Sequence, residues 1–178
     1  MMNPVMMNPV MTNPVMTNSK SAQQNPRFDI RKYLNSDAVQ ALLSFGKAIE
    51  AGGVDRTLLE LVHVRTSQIN GCAYCIDMHT KDARSLGETE QRLYGLDAWR
   101  ETPYFSERER AALDWTEAIT RITDGHVPDE VYERVRQQFD EHELVTLTLA
   151  AVATNAWNRL AIAFRVPVGT YQPQHAHA

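Results

Sequence analysis

Cysteine is scarce in this chain: 178 residues hold two, Cys72 and Cys75. Two cysteines three positions apart do not lace a secreted disulfide scaffold, which needs more of them spaced more widely. In a reducing compartment a C-x-x-C pair reads as redox-active instead. There is no second C-x-x-C and no H-x-x-x-H, so a structural zinc site on Cys72, Cys75 and His79 wants a fourth ligand. No run of 18 or more apolar residues occurs, which argues against a membrane-spanning helix. The N-terminus shows neither the basic nor the apolar region of a secretory signal. Neither charge is in large excess, with 18 Lys and Arg against 22 Asp and Glu and a net charge of −4. That mild acidity gives no reason to expect nucleic acid or anionic lipid as a partner. A cytoplasmic protein is the expectation. Alternating apolar and polar residues are also missing, so strands are not expected and the fold class is all-α.

What is present is a series of helix signals. Residues 1–26 repeat Asn-Pro units, and each Pro pushes its predecessor out of the helical region. This segment is expected to be extended or disordered. A single helical domain is expected over residues 27–168, with a loose tail over 169–178. Ser36 is a candidate N-cap for a helix over about 37–51, ended by Gly52-Gly53. Asp55 caps a second helix running to about Ile69, apolar around much of its circumference and therefore central. Asn70-Gly71 breaks the chain, and a third helix covers about 72–86. A short helix over about 88–97 follows. Ser106-x-x-Glu109 is a capping box for a helix to about Thr123, and Pro128 opens another to about 139. The longest, about 141–164, is apolar nearly all round apart from Asn155, Asn158 and Arg159, which suits a core or a subunit interface. About six to seven helices result.

The stretch Glu60–His79 organises the rest. Cys72, Cys75 and His79 share one face of the third helix, at i, i+3 and i+7. Glu60, inside the apolar second helix, reaches them only if the two helices form a hairpin; otherwise it faces solvent or pairs with Arg56 or Arg65. A thiol reacts as thiolate, from a resting pKa of about 8.5. A helix N-terminus favours the anion, His79 can take the proton, and Glu60 can orient and charge-balance His79. The dipole favours Cys72 and the imidazole favours Cys75. The imidazole is the more specific influence, so Cys75 is read as the attacking sulfur and Cys72 as the resolving one. His63, three residues after Glu60, is read as a satisfied core or surface residue, like His126 and His142 at helix ends. Trp99, Trp115 and Trp157 are read as packing residues.

The order E-x11-C-x-x-C-x-x-x-H, with its flanking string SQINGCAYCIDMHTKDARSLGE and the later NAWNRLAIAF, resembles the alkylhydroperoxidase AhpD core within the carboxymuconolactone decarboxylase-like family, over about residues 28–168. The resemblance implies a helical domain assembling into trimers or hexamers. It also implies a peroxidase that reduces hydroperoxides through a Cys72–Cys75 disulfide, recycled by a thiol donor such as a lipoyl or thioredoxin-like protein. No cofactor or metal is implied. Glu60 and His79 match the family's proton-relay positions, and the second cysteine is its peroxidatic one. One departure stands out: the best-studied AhpD enzymes carry a second histidine just before the second cysteine, where this chain has Tyr74. A phenol there can donate a hydrogen bond but, with a pKa of about 10, does not relay protons near neutrality.

The expected function is thus a thiol peroxidase with Cys75, Cys72, His79 and Glu60 as site residues and Tyr74 as a possible auxiliary. The alternatives are a redox-sensing or metal-stapled helical oligomer without turnover, and a general thiol–disulfide oxidoreductase. Lactone decarboxylation does not call for a C-x-x-C pair.

Overall fold

A computed structural model describes residues 25–173; the Asn-Pro units of residues 1–24 and the histidines His175 and His177 lie outside them. The described residues form seven α-helices and no strand: α1 Asp37–Glu50, α2 Arg56–Asn70, α3 Ala73–Ser85, α4 Glu90–Gly95, α5 Glu107–Thr120, α6 Asp129–Arg136 and α7 Glu141–Phe164. Two single 3-10 turns, Ile30–Tyr33 and Leu96–Ala98, complete the chain path. None of these helices is long and apolar enough to cross a membrane.

The helix ends follow the local chemistry. The Asp55 carboxylate accepts the Leu58 N–H. Ser106 and Glu109 form the expected reciprocal box at the head of α5, and Asp140 and Glu143 form a second box at the head of α7. Ser36 stands at the N-cap position of α1, but its hydroxyl donates backward to the Tyr33 carbonyl rather than accepting from the helix. The preceding 3-10 turn explains the difference, because it offers a carbonyl one turn back.

α2 is the shared wall of the molecule. Leu58, Leu59 and Val62 join α1, α5, α6 and α7 in one apolar cluster with Trp115, Val135, Phe139, Leu147 and Ala150. Leu61 and Val64, on its other side, join Ala83, Leu93, Leu96, Trp99, Phe105 and Leu113 in a second. A helix buried on both faces has few positions left for polar side chains, so each of those it carries is anchored. Arg65, at 6% exposure, donates to Glu117 at 2.8 Å and also pairs with Asp97. Trp99 and Arg100 converge on the same Glu117 carboxylate at 2.8 and 2.7 Å.

The turn between α2 and α3 sets the site. Gly71 sits at φ 68°, ψ 32°, in the left-handed region, and the Cys72 N–H closes back on the Ser67 carbonyl at 2.9 Å. This is a Schellman-type ending. It leaves two residues between the helices, so they fold back as a hairpin. α7 locks that corner through amides: the Asn70 side chain donates to Asn155 and Asn158 at 3.0 and 2.9 Å, and Asn158, wholly buried, donates to the Ser67 hydroxyl at 3.2 Å.

Candidate active site

Cys72 is the N-cap of α3 rather than its first helical residue. Its backbone is extended, at φ −83° and ψ 91°, and its sulfur accepts the Cys75 N–H at 3.3 Å. Because Cys72 stands outside the helix, its side chain folds over the first turn. The two sulfurs are joined in a disulfide, with the Cα atoms 5.3 Å apart. Both cysteines are almost wholly covered, at 1% and 2% exposure, and pack with Ala161, Tyr74 and Val166. A groove of about 530 Å³ runs beside them, lined by Cys72 and Tyr74 on one side and by Ile162, Arg165, Val166 and Val168 on the other. Cys72, not Cys75, forms part of its wall.

His79 lies one turn after Cys75 on α3, which places the two side chains on the same face. The hairpin brings Glu60 across from α2, and its Oε2 stands 2.9 Å from His79 Nδ1. Glu60 is buried at 8% exposure, and its close partner is His79 rather than an arginine. Burial pushes its carboxyl up from the ordinary range, opposed by the charges of His63 and Arg56. Burial also holds the His79 imidazole down to about 4, although Asp82 pulls the other way. At neutral pH His79 is therefore uncharged. A neutral imidazole beside a carboxylate acceptor donates from Nδ1, so its Nε2 keeps the lone pair that can accept a proton.

His63 is hydrogen-bonded and packed, as the sequence reading has it, but its neighbour is not legible there. It does not pair with Glu60. Its ring lies against His79, with centroids 4.7 Å apart and 30° between the planes. Its Nδ1 is 2.7 Å from the Thr154 hydroxyl, whose own proton goes to the Ala150 carbonyl. His63 Nδ1 is therefore the donor in that pair. Burial first, then the neighbouring His79, holds His63 down to about 4. Two further residues went unseen. Asp82 brings an oxygen within 4.8 Å of Glu60 and His79, and the Tyr171 hydroxyl donates to both of its oxygens. Asp82 follows His79 by three residues, a spacing legible on a helix. Tyr171 comes from a segment that carries no pattern. Nδ1 of His79 is engaged by Glu60, and Asp82 accepts the single Tyr171 hydroxyl proton. Tyr74 packs on the disulfide; burial and the charges of Asp77 and Asp82 push its phenol up, which strengthens the case against proton relay there.

Residues 36–118 match the family model for the carboxymuconolactone decarboxylase family. The uncharacterised protein YdfG of Bacillus subtilis is 47% identical over 127 residues, which span 71% of this chain and 86% of YdfG. The chain belongs to the carboxymuconolactone decarboxylase family. Within the family's fold, the crystal structure of an Agrobacterium tumefaciens protein of unknown function, provisionally designated the antioxidant defence protein AhpD, superposes with a TM-score of 0.78. It is 36% identical, and the match covers 82% of this chain and 99% of that one. The debrominase Bmp8 shares the fold at a TM-score of 0.69 and 19% identity, over 76% of this chain and 73% of its own. At that identity the likeness is one of fold.

Proposed function

We propose that this chain is a thiol peroxidase that reduces hydroperoxides through Cys75 and Cys72, with His79 and Glu60 managing the proton. The observation that carries this reading is the disulfide at the head of α3, one turn from an imidazole held through Nδ1 by a buried carboxylate. In the reduced protein, His79 takes the Cys75 proton, and the thiolate attacks the terminal peroxide oxygen. The O–O bond breaks and the alkoxide leaves as alcohol with the proton returned by His79, leaving Cys75 as sulfenic acid. The Cys72 thiol then displaces water to form the disulfide. Both electrons passed to the peroxide come from the two thiols.

A dithiol donor restores the pair. Cys72 forms part of the groove wall, which supports donor attack on Cys72 with Cys75 leaving as thiolate beside His79. The family resemblance supports a lipoyl or thioredoxin-like donor, and it supports a homo-oligomer. So does a row of exposed apolar residues on α7, Val145, Leu149 and Val152.

Steady-state hydroperoxide consumption with a lipoyl protein, thioredoxin or glutathione tests the reading. Cys75→Ser is expected to abolish turnover. Glu60→Gln and His79→Gln are expected to slow it by about a hundredfold, the range for a positioned acid–base group. A wild-type chain that keeps both free thiols under excess peroxide would defeat it.

A further inference from the structure

The proposed relay has a second carboxylate. Asp82 lies on α3 three residues beyond His79, with an oxygen within 4.8 Å of both the Glu60 carboxylate and the His79 ring. Both its oxygens are held by one phenol, the Tyr171 hydroxyl, at 2.8 and 3.0 Å. Tyr171 belongs to the segment that returns across α3 after α7. The sequence leads one to expect a loop with a loose end there. The loop is present, but it is pinned twice, because the Tyr171 carbonyl also accepts from Lys81 Nζ at 3.0 Å. Lys81 is itself held to Asp77 at 2.9 Å.

Two carboxylates around one buried imidazole oppose each other's charge. Burial raises the Asp82 carboxyl, and Glu60 raises it further, while Tyr171, His79 and Arg56 act in the opposite sense. The charged and titratable groups that act on it are Glu60 and Arg56 from α2, Tyr74 and His79 from α3, and Tyr171 from the tail. Of these, Tyr171 is the one that donates hydrogen bonds to it. A donor favours the ionised form of a carboxylate. An anion at Asp82 in turn favours a proton on His79.

We propose that Asp82 and Tyr171 are positioning residues of the thiol site: the phenol holds Asp82 as an anion, and that anion makes His79 a stronger base toward Cys75 than Glu60 alone would. The inference rests on the reading that His79 takes the Cys75 proton. It adds a residue from the far end of the described chain to the control of that proton.

Ultraviolet thiolate absorbance of the reduced full-length protein, followed against pH, tests this without peroxide or donor. A parallel titration of Cys75→Ser identifies the Cys75 transition. Tyr171→Phe and Asp82→Asn are each expected to move that transition up by roughly half a unit, about threefold less thiolate below the midpoint. The double variant is expected to match either single one. Asp82→Asn keeps an amide oxygen for the phenol, so the tail stays docked. If Tyr171 merely held the tail, Tyr171→Phe would act the same in the Asp82→Asn background, or would leave the titration unmoved; either result overturns the proposal. A chain whose transitions shift as expected but which consumes no peroxide loses the peroxidase reading and keeps this one. A chain that consumes peroxide with unshifted transitions loses only this one.

Discussion

At the scale of the residue, two stacked histidines kept neutral by burial are the unusual feature of the site. His63 and His79 are both held down to about 4, whereas the unfolded chain binds those protons near pH 6.5. The stability gained by keeping them neutral is complete above that value and is lost as pH falls toward 4, because only the unfolded state takes up protons there. Each histidine therefore costs up to about 2 kcal/mol between pH 6.5 and 4.5. Glu60 and Asp82 are shifted upward. Their contribution is complete below the unfolded carboxylate range and fades as pH rises through their folded values, so it runs against the histidine slope, and the comparison with a histidine variant isolates the histidine part. Urea midpoints between pH 7 and 5 are expected to fall more steeply for the wild type than for His63→Gln; parallel slopes would refute the assignment. The same two rings show what was legible in the sequence. Cys72, Cys75 and His79 fall within a single helix and its cap, so spacing places those three together, whereas Glu60 joins them only because α2 and α3 fold back on each other. His63 differs from an ordinary core histidine only through its contact with His79, and that contact depends on how α2 and α3 cross.

At the scale of the element, helix ends were legible and the ties between helices were not. Asp55, Gly71 and the Ser106–Glu109 box act as their types dictate, because a cap interacts with residues three or four positions away. Asn155 and Asn158 look in the sequence like polar interruptions of an apolar helix. In the fold they are the amides that hold α7 against the Gly71 corner, a role set by residues about 90 positions distant. The corner itself gives a clean prediction. A Cβ on Gly71 would meet nothing within 4 Å, yet the backbone there is left-handed at φ +68°. Gly71→Ala is therefore expected to cost about 1 kcal/mol from backbone strain alone, and Gly71→Asn less, since Asn tolerates that region. Denaturant midpoints check both. Equal losses for the two would point to a steric cause that the open space around Gly71 excludes.

At the scale of the whole molecule, α7 is more apolar than its own core demands. Leu147, Ala150, Ala151 and Ala153 are buried against α2 and its neighbours, while Val145, Leu149 and Val152 stand 56%, 37% and 45% exposed. Their spacing of four and then three residues puts them on one face of the helix, opposite the core. A row of that kind is a candidate surface for a partner subunit, which is why homo-oligomerisation is part of the proposed function. The same helix carries Ala161 and Ile162 into the groove beside Cys72. Val152→Glu places a charge in the middle of the row and touches no core residue. It is expected to leave helix content and the urea midpoint of the isolated subunit unchanged, while sedimentation shifts from oligomer to monomer. A wild-type chain that sediments as a monomer at every concentration would remove the interface. A Val152→Glu protein that stays assembled would move it to another face.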